Sequence, residues 1–446
     1  MIARSLAGLA LALVGACAST DAARLSSIRF APIVLPVGVE RSNADLAADF
    51  LDLTFALESG EQLERLLRYE EPIRVRLASP SLETYRPDLE ALLARLRAEA
   101  GIDIAETTDA AGAQINIEMV PAAELARVFP SAACFIVPGE TSWRGFLQRR
   151  NDARQRWSAR STLGRAAIFL PSDTTPQDVR DCLHEEITQA LGPANDLYRL
   201  PDSIWNDDNL HGMATPFDML VLRVLYQPEL RSGMTRKEVA ARLPRLLDRE
   251  NPEGRRLAPE ARHAESRAWA TAIERALSQR TSRDERLTAA RLATQIAAEM
   301  QPPDHRLSVS LLTLGRLTLR RDPAAAAQYF GKAYQQTLRR HGPQDVRAAH
   351  AGVHVAAIAL ASGRYETVVK LVDLHAPAAT KGQNAILLAG LLSLKAEALL
   401  GLGADEEALQ VRLDSLRWAR YGFGDNDGAL AREQAALVAM SPAGGS

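Results

Sequence analysis

The sequence predicts an α/β domain followed by an all-helical domain, and three patterns along the 446 residues indicate this. In the first half, short strand-like apolar runs alternate with helical patterns, which is typical of an α/β domain with a mixed sheet. After about residue 235 the strand-like runs end and alanine- and leucine-rich helical patterns take over. Tight breaks between these helices recur about every 41 residues, a spacing typical of two-helix repeats. They lie at Arg321–Pro323, Ser362–Arg364 and Gly403–Asp405.

The elements of the first half follow from their periodicity. Residues 43–68 carry apolar side chains at near-helical spacing and predict an amphipathic helix, and Pro87 opens a second helix. Residues 72–77 alternate apolar and polar side chains, which indicates a half-buried strand. Four further apolar runs predict strands at 102–104, 114–119, 133–137 and 165–170. A helix follows from Thr175, because Thr-Pro supplies an N-cap and a first-turn proline.

The first 17 residues have the pattern of a bacterial lipoprotein signal peptide. Arg4 supplies positive charge, residues 6–14 are apolar, and small residues lead to Cys17. On this interpretation Cys17 becomes the lipidated first residue of the mature chain, on the periplasmic side of the cell envelope. An ordinary secretory signal with an incidental cysteine is the alternative. No later run reaches the roughly 18 apolar residues of a membrane span, so we expect a tethered protein.

Charge and cysteine usage narrow the function classes. A formal charge of −2 provides no positive field, so no nucleic-acid partner is expected. Apart from Cys17, the chain contains Cys134 and Cys182, and an oxidising compartment favours a disulfide between them. Such a bond would join the strand at 133–137 to the Thr175 helix. A pair of buried free thiols is the alternative.

The segment Asp181–Asp196 carries the most informative motif of the chain. His184-Glu185 resembles the opening of a zinc-peptidase HExxH, but Thr188 stands where the second histidine belongs. Read from Glu185, the segment is Glu-Glu-x-x-Gln-x-x-Gly-x-x-Asn and ends at Asn195. This spacing resembles the metzincin motif HExxHxxGxxH, with its glutamate and glycine kept and its three histidines replaced.

Two later segments extend this resemblance. A predicted turn occupies the place of the metzincin Met-turn, with a tryptophan where methionine would stand. This turn contains Ser203, Trp205, Asn206 and Asp207. A capped helix then runs from Met219 to Tyr226. Together these motifs resemble a bacterial envelope family known as domain of unknown function 2927, over residues 45–235. The resemblance implies a degenerate metzincin-like fold and no established activity.

The ligand positions of the resembled motif are occupied by Glu185, Gln189 and Asn195 or Asp196. Catalytic zinc is mostly held by histidine nitrogen, whereas these side chains are oxygen donors and include two neutral amides. Such a set suits Ca²⁺, Mg²⁺ or Mn²⁺ better than zinc, and it binds weakly without further carboxylates. Glu186 stands at the general-base position, and without a Lewis acid it activates water poorly.

Three interpretations follow for this site. The preferred one is a metal-free, non-enzymatic binding domain, with no cofactor, whose polar cluster fixes the helix, the turn and Trp205. This cluster would contain Glu185, Gln189, Asn195 and Asn206. The second is a divalent-metal site built from the carboxylates. The third is a metal-dependent peptidase with non-histidine ligands and Glu186 as general base. His184 is expected to pack behind the helix.

Residues 283–440 resemble divergent tetratricopeptide repeats. Phrases such as Ala359–Glu366 look like the turn inside a repeat, although the period exceeds the consensus of about 34 residues. Stacked helix pairs form a concave groove suited to an extended peptide or a partner helix. Support of the first domain without binding is the alternative. Residues 143–160, rich in arginine and aromatic side chains, predict a solvated loop; a lip over a cleft or a patch for anionic lipid is the alternative.

The sequence therefore predicts four parts. These are a signal peptide at 1–17, a degenerate metzincin-like domain at 28–235, a helical linker region at 236–282 and helical repeats at 283–440. The fold class is a metzincin-like α+β or α/β domain with a mixed sheet, followed by an all-α tetratricopeptide-like array. The predicted function is protein or peptide binding, or assembly, by a lipid-anchored envelope protein. Its expected partners are the membrane, through Cys17, and a protein or peptide in the groove.

Overall fold

The computed structural model describes residues 28–31, 39–129, 133–206, 208, 210–260, 266–278 and 280–424. Cys17, the rest of the expected signal peptide and Asp207 lie outside these residues. Within the described ranges, no helix is long and apolar enough to cross a membrane. The chain divides into two compact units, residues 34–340 and residues 341–446 with 1–33. The domain borders expected from the sequence stay predictions, because packing contacts alone do not define independent folding.

Among the described residues, the first unit contains a mixed five-stranded sheet, which confirms the sheet predicted from the alternating pattern. Its strands are β1 (Ile73–Leu77), β2 (Ile104–Glu106), β3 (Ile115–Val120), β4 (Phe135–Pro138) and β5 (Ala166–Pro171). The spatial order is β2-β1-β3-β5-β4. β4 runs antiparallel to β5, whereas the other neighbouring strands are parallel.

Helices α1 to α7 belong to the same unit. They are α1 (Asn43–Thr54), α2 (Arg86–Ala100), α3 (Ala122–Val128), α4 (Trp143–Arg149), α5 (Pro176–Ala190), α6 (Pro216–Leu225) and α7 (Arg236–Glu250). Threonine N-caps start the last three of these helices, at Thr175, Thr215 and Thr235. Each hydroxyl accepts a hydrogen bond from the N–H three residues on, which satisfies a donor that the helix leaves open.

The core of this unit lies on both faces of β5, because successive strand residues point to opposite faces of a sheet. Ile168 and Leu170 join a large cluster that includes apolar residues of α1, α2, α5 and α6. Ala167 and Phe169 join a smaller cluster with Trp143 and Phe146 of α4. Burial on both faces is what the continuous apolar run of this strand predicts.

The first helix is shorter than the sequence predicts, and the extension to residue 68 is wrong. It ends at Thr54, and Ala56 then pairs with Gln62 in an isolated β-bridge. Gly60 lies in this turn at φ +84°, a left-handed conformation that glycine adopts without steric cost. Most later leucines of the stretch, such as Leu63, are buried without being helical. Their spacing indicates burial and does not require a helix.

The segment 143–160 is not simply the predicted loop. Residues 143–149 form α4, because the Ser142 hydroxyl caps it by accepting from the N–H of Gly145, and Trp143 and Phe146 are buried in the smaller cluster. Trp157 is partly buried against the large cluster, while most arginines of this stretch are exposed. A short amphipathic helix gives no clear periodic signal, since it covers only two turns.

The remaining described elements are helices, which confirms the all-helical array. In the first unit these are α8 (Arg267–Leu277), α9 (Arg283–Glu299), α10 (His305–Thr318) and α11 (Pro323–His341), which ends at the border. The second unit contains α12 (Val346–Ala361), α13 (Tyr365–Lys381), α14 (Ala385–Gly401) and α15 (Asp405–Phe423). Within the region 236–282, α7 buries Val239 and Leu243 and α8 buries Trp269.

Two of these helices begin with the same ion pair. The Asp304 carboxylate accepts from the N–H of Arg306 at 3.0 Å and from its guanidinium at 2.7 Å, at the start of α10. Asp345 binds Arg347 in the same way, at 2.9 and 2.7 Å, at the start of α12. The two aspartates stand 41 positions apart in the sequence. A repeated cap at this distance matches the spacing of the helix breaks.

Cys134 and Cys182 form a disulfide, as the sequence predicts. It joins the residue before β4 to the middle of α5, across a sequence separation of 48 residues. A covalent link across a loop of this length stabilises the fold by restricting the unfolded chain. It therefore anchors the edge of the sheet to the helix that carries the Asp181–Asp196 motif.

Candidate functional site

The turn after α5 depends on Gly192. The chain there has φ +140°, in a region that side chains rarely adopt. A Cβ atom at this position would lie 2.6 Å from the main-chain oxygen of Leu67 and 2.8 Å from Leu225 Cδ2. The glycine of the motif therefore has a steric role, because it lets the chain leave α5 in close contact with its neighbours.

Trp205 fixes the second turn of the site. Its side chain is fully buried, and its Nε1–H donates to Thr188 Oγ1 at 2.9 Å. The Thr188 hydroxyl in turn donates to the main-chain oxygen of His184 at 2.8 Å. The main chain of Trp205 is held as well, since its oxygen accepts from the N–H of Leu197 at 2.9 Å. Thr188, which breaks the HExxH pattern, thus positions the tryptophan on α5.

Asp218 joins this turn to α6. Its buried carboxylate accepts hydrogen bonds from Ser203 Oγ at 2.6 Å, from the N–H of Ile204 at 3.0 Å and from the N–H of Thr215 at 2.7 Å. Burial raises the pKa of Asp218 to about 6, although these hydrogen bonds act in the opposite direction. The Thr-x-x-Asp spacing predicts a helix cap, but it does not reveal that the same carboxylate also holds the Ser203 turn. Sequence reasoning therefore missed this residue.

The candidate ligands make different contacts. Gln189 Nε2 donates to both carboxylate oxygens of Asp196, at 2.9 Å each. Asn195 Nδ2 donates to the main-chain oxygen of Asp52 on α1 at 2.8 Å. Glu185 lines a small cavity on another side of the motif. In this arrangement amide N–H groups, rather than amide oxygens, face the Asp196 carboxylate and the Asp52 carbonyl.

The cavity beside Glu185 is small, with a volume of about 10 Å³, which is room for about one water molecule. Its walls are Asp181, Glu185, Ser203, Ile204, Asn206, Asp208 and His211. Removal from water raises the pKa of Asp181 to about 8, although Gln177 donates a hydrogen bond to it at 2.8 Å. Across the part of the chain that the structure describes, no three His, Cys, Asp or Glu side chains are arranged to hold a metal ion.

Asn206 holds the chain of its own turn. Its Nδ2 donates to the main-chain oxygen of Leu200 at 2.8 Å and to Asp208 Oδ2 at 2.9 Å. Its Oδ1 accepts from the N–H of Asp208 at 2.8 Å. Both the NH₂ group and the oxygen of the amide thus make local hydrogen bonds. Together with Ser203, Asn206 maintains the turn around the buried Trp205.

Glu186, the candidate general base, is buried, with 4% of its surface exposed. Its Oε2 atom has no hydrogen-bond partner among the residues that the structure describes. Burial, together with the nearby charge of Asp196, raises the pKa of Glu186 to about 8. A carboxyl group in this state keeps its proton near neutral pH, so it does not accept one from water. The arrangement therefore opposes general-base catalysis.

His184 makes a structural contact. Its Nδ1 accepts a hydrogen bond from the N–H of Ala214 at 3.3 Å, just before α6 begins. Removal from water, with a smaller contribution from Arg95, lowers the pKa of His184 to about 3. The imidazole is therefore neutral at physiological pH, and it positions the chain that leads into α6.

An ion-pair network joins α1 to the chain between Gly192 and Trp205. Asp49 pairs with Arg41 at 2.7 Å and also with Arg199. Asp52 pairs with Arg199 at 2.8 Å and with Arg236 at 2.9 Å. Asp49 and Arg199 are nearly buried and stand 150 residues apart, so no local pattern in the sequence indicates the pair. The network fixes the same α1 segment whose carbonyl binds Asn195.

Residues 43–245 match the model of a family described as a protein of unknown function, DUF2927. The matched range includes residues 45–235, over which the sequence motifs resemble this family. It covers the chain from the start of α1 into α7 and so includes the whole sheet, α5 and the Trp205 turn. No curated protein and no solved structure matches the chain.

Thr188→Val tests the anchor of Trp205. Valine keeps the shape of threonine but leaves the buried indole N–H without its acceptor, so we expect the free energy of unfolding to fall by about 1–3 kcal/mol. Thr188→Ser, which keeps the hydroxyl, is the matched control, and urea unfolding followed by tryptophan fluorescence measures both. A valine variant as stable as the wild type would show that the bond does not hold the turn.

Glu186→Gln tests the raised pKa. As the pH rises, the unfolded chain loses this proton near the ordinary value of 4.5, whereas the folded chain keeps it up to about 8. Below about pH 4.5 the protonated group therefore stabilises the folded chain fully, and this contribution is lost as the pH rises through about 8. We expect the variant to gain stability relative to the wild type between about pH 5 and about pH 9, as measured by urea unfolding. A difference that stays constant over this interval contradicts the shift.

Proposed function

We propose that this chain is a lipid-anchored protein of the bacterial envelope that binds a protein or peptide partner without hydrolysing it. Its first part is a degenerate metzincin-like domain, and its last part is a tetratricopeptide-like array that holds the partner. The lipid is attached at Cys17 and places the protein on the periplasmic side of a membrane. Each part of this proposal has separate support.

The observation that carries the binding function is an exposed apolar stripe on α15. Leu409, Leu413 and Leu416 are 56%, 43% and 40% exposed. Their spacing of four and three residues places them on one face of the helix. A neighbouring face of α15 is packed, since Ala419 is buried in a cluster with Ala389 of α14. Aligned leucines left in water next to a packed face are typical of an interaction surface.

The shape of the helical array supports the tetratricopeptide-like part. α12 and α13 are joined by a tight turn with Gly363 at φ +67°, and α14 and α15 by one with Gly403 at φ +74°. These glycines stand 40 positions apart, close to the spacing of the Asp–Arg caps. Two helix pairs with equivalent turns are the unit from which a concave binding surface is built.

The geometry around α5 supports a metzincin-like domain that has lost its chemistry. The motif glycine and the tryptophan turn keep structural roles, as Gly192 and Trp205 show. The ligand positions are used differently, because the Gln189 amide binds both oxygens of Asp196. The N–H groups of this amide take the place of a cation as the partner of the Asp196 carboxylate. The protonated state of Glu186 removes the base as well.

A metal-dependent peptidase with non-histidine ligands is the second candidate function. One observation favours it, namely that Glu186 Oε2 is buried and, among the described residues, has no hydrogen-bond partner. A buried oxygen in this state is costly unless a water, an ion or a substrate group binds it. In such an enzyme Glu185 and Asp196 would supply carboxylate ligands, and a metal ion would lower the pKa of Glu186.

Photo-crosslinking tests the binding surface. A photoreactive amino acid at Leu413 in the full chain, expressed in its native cells, is expected to give a discrete adduct with a different protein. Glu407, which is exposed on the same helix but is not part of the leucine stripe, is the matched control position. The adduct should disappear in the Leu409→Asp/Leu416→Asp variant, because charged side chains oppose burial of the stripe. Adducts only with the chain itself, or equal adducts at both positions, contradict partner binding.

Metal analysis and hydrolysis assays separate the two candidate functions. We expect the purified full chain to contain no stoichiometric divalent metal and to leave unfolded protein substrates uncut. Added Mn²⁺ or Zn²⁺ should not change this result, because the Gln189 amide already satisfies Asp196. One metal ion per chain, together with activity that is lost in Glu186→Gln, would establish the peptidase instead.

A further inference from the structure

A second and much larger cavity lies at the β4 edge of the sheet, apart from the Asp181–Asp196 motif. Its volume is about 340 Å³, at the lower end of the range of about 300–1,000 Å³ for small-molecule pockets. Its walls are Phe129, Ile136, Val137, Pro138, Phe146, Arg150, Asn151, Asp152, Gln155, Arg156 and Trp157. No residue of the candidate site described above contributes to it, so the proposed function does not account for this cavity.

One side of the cavity is apolar. Phe129 and Phe146 stack with their ring centroids 5.9 Å apart, and Val137 belongs to the same small cluster. Ile136 and Trp157 are partly buried against the large core cluster. The large and the smaller cluster described above thus both meet the cavity at the end of β4. Such a wall favours a hydrocarbon chain or ring over a fully polar ligand.

Hydrogen bonds from nearby charged side chains hold the walls of the cavity in place. The Arg149 Nε–H donates to the buried Glu140 at 2.9 Å. Arg160 Nη2 donates to the main-chain oxygen of Pro138 at 2.8 Å and to Gln155 Oε1 at 3.3 Å. These bonds connect the segment after α4 to the end of β4. The cavity is therefore preformed rather than dependent on a ligand to assemble it.

The charged residues that line the cavity are two arginines and one aspartate, Asp152, so the arginines outnumber the carboxylate. Arg150 and Arg156 line the cavity, and neither side chain forms an ion pair or a hydrogen bond with any residue in the described part of the chain. Residues 144–160 contain six arginines and one acidic residue, Asp152, in a chain whose net charge is −2. Guanidinium groups bind carboxylate and phosphate groups through paired hydrogen bonds. Arg150 and Arg156 are thus suited to bind an anionic group next to the apolar wall.

We propose that this cavity binds a small amphipathic anion, a single hydrocarbon chain or ring that carries a carboxylate or phosphate group. The apolar wall takes the hydrocarbon, while Arg150 and Arg156 bind the charged head. The size of the cavity fits one such molecule and not the surface of a bilayer. A fatty acid and a lipid phosphate share this chemistry and are the two sources that an experiment has to distinguish.

Calorimetric titration of the full chain tests the site directly. Dodecanoate and dodecyl phosphate, both below their micelle concentrations, are the two probes, and the stronger binder identifies the head group. We expect one molecule to bind per chain. Arg150→Gln/Arg156→Gln should weaken this binding by about tenfold or more, because each arginine supplies charged hydrogen bonds. Arg127→Gln/Arg144→Gln is the matched control, since it removes the same charge from exposed residues of α3 and α4 outside the cavity.

Several results would overturn the proposal. Acetate or inorganic phosphate that binds as tightly as the dodecyl probes would show that the apolar wall plays no part. Equally tight binding of dodecyl maltoside, which has an uncharged head group, would show that the arginines play no part. Binding to vesicles of anionic lipid without binding of either monomeric probe would indicate a membrane-surface patch instead of a cavity site. No saturable binding, or equal binding by both double variants, excludes the site.

Discussion

The burial of Trp205 is the constraint on which the first unit depends most. An indole removed from water must find an acceptor for its N–H, and the Thr188 hydroxyl of α5 provides it. The turn that carries the tryptophan is then held on its other side by Asp218, at the start of α6. α5, the Ser203 turn and α6 are thereby connected through hydrogen bonds that water cannot replace. A change in any one of the three leaves a buried polar group without its partner.

The acidic residues of the motif are subject to a similar constraint, because a group removed from water needs a partner. A buried carboxylate is tolerated when donors surround it, when a cation binds it or when it takes up a proton. The half-buried Asp196 is in the first state, because Gln189 donates to both its oxygens. Glu186 is in the last state, because burial favours its protonated form. Hydrogen bonding of one acidic group and protonation of the other are the physical basis for proposing a non-catalytic domain.

Much of this architecture could be predicted from local patterns. The mixed sheet followed from apolar runs separated by helical ones, and α5 from the Thr-Pro start and its apolar stripe. The disulfide followed from compartment and cysteine count. The end of α1 could not be predicted in this way. Leucines at helical spacing continue after Thr54, but they are buried in a turn. Spacing reports which side chains are buried more reliably than the backbone conformation that buries them.

The contacts that define the site were the hardest to predict, because they join distant parts of the chain. Asp49 and Arg199 are 150 residues apart, and Asp218 reaches the Ser203 turn from a helix cap. His184 was expected to pack behind α5, but its contact with the N–H of Ala214 had no signal in the sequence. Residue types and spacing identified the motif. They did not reveal that its amides act as donors.

The repeated Asp–Arg cap has a consequence for how the length of this chain can evolve. Arg306 is fully buried, yet the aspartate that neutralises it stands two residues away, at the start of the same helix. The second cap, Asp345 with Arg347, is self-contained in the same way. A 41-residue segment between equivalent points of the two caps could therefore be duplicated or deleted without leaving a buried charge unpaired. The length of the helical array can thus change by a whole unit while each buried arginine keeps the aspartate that neutralises it.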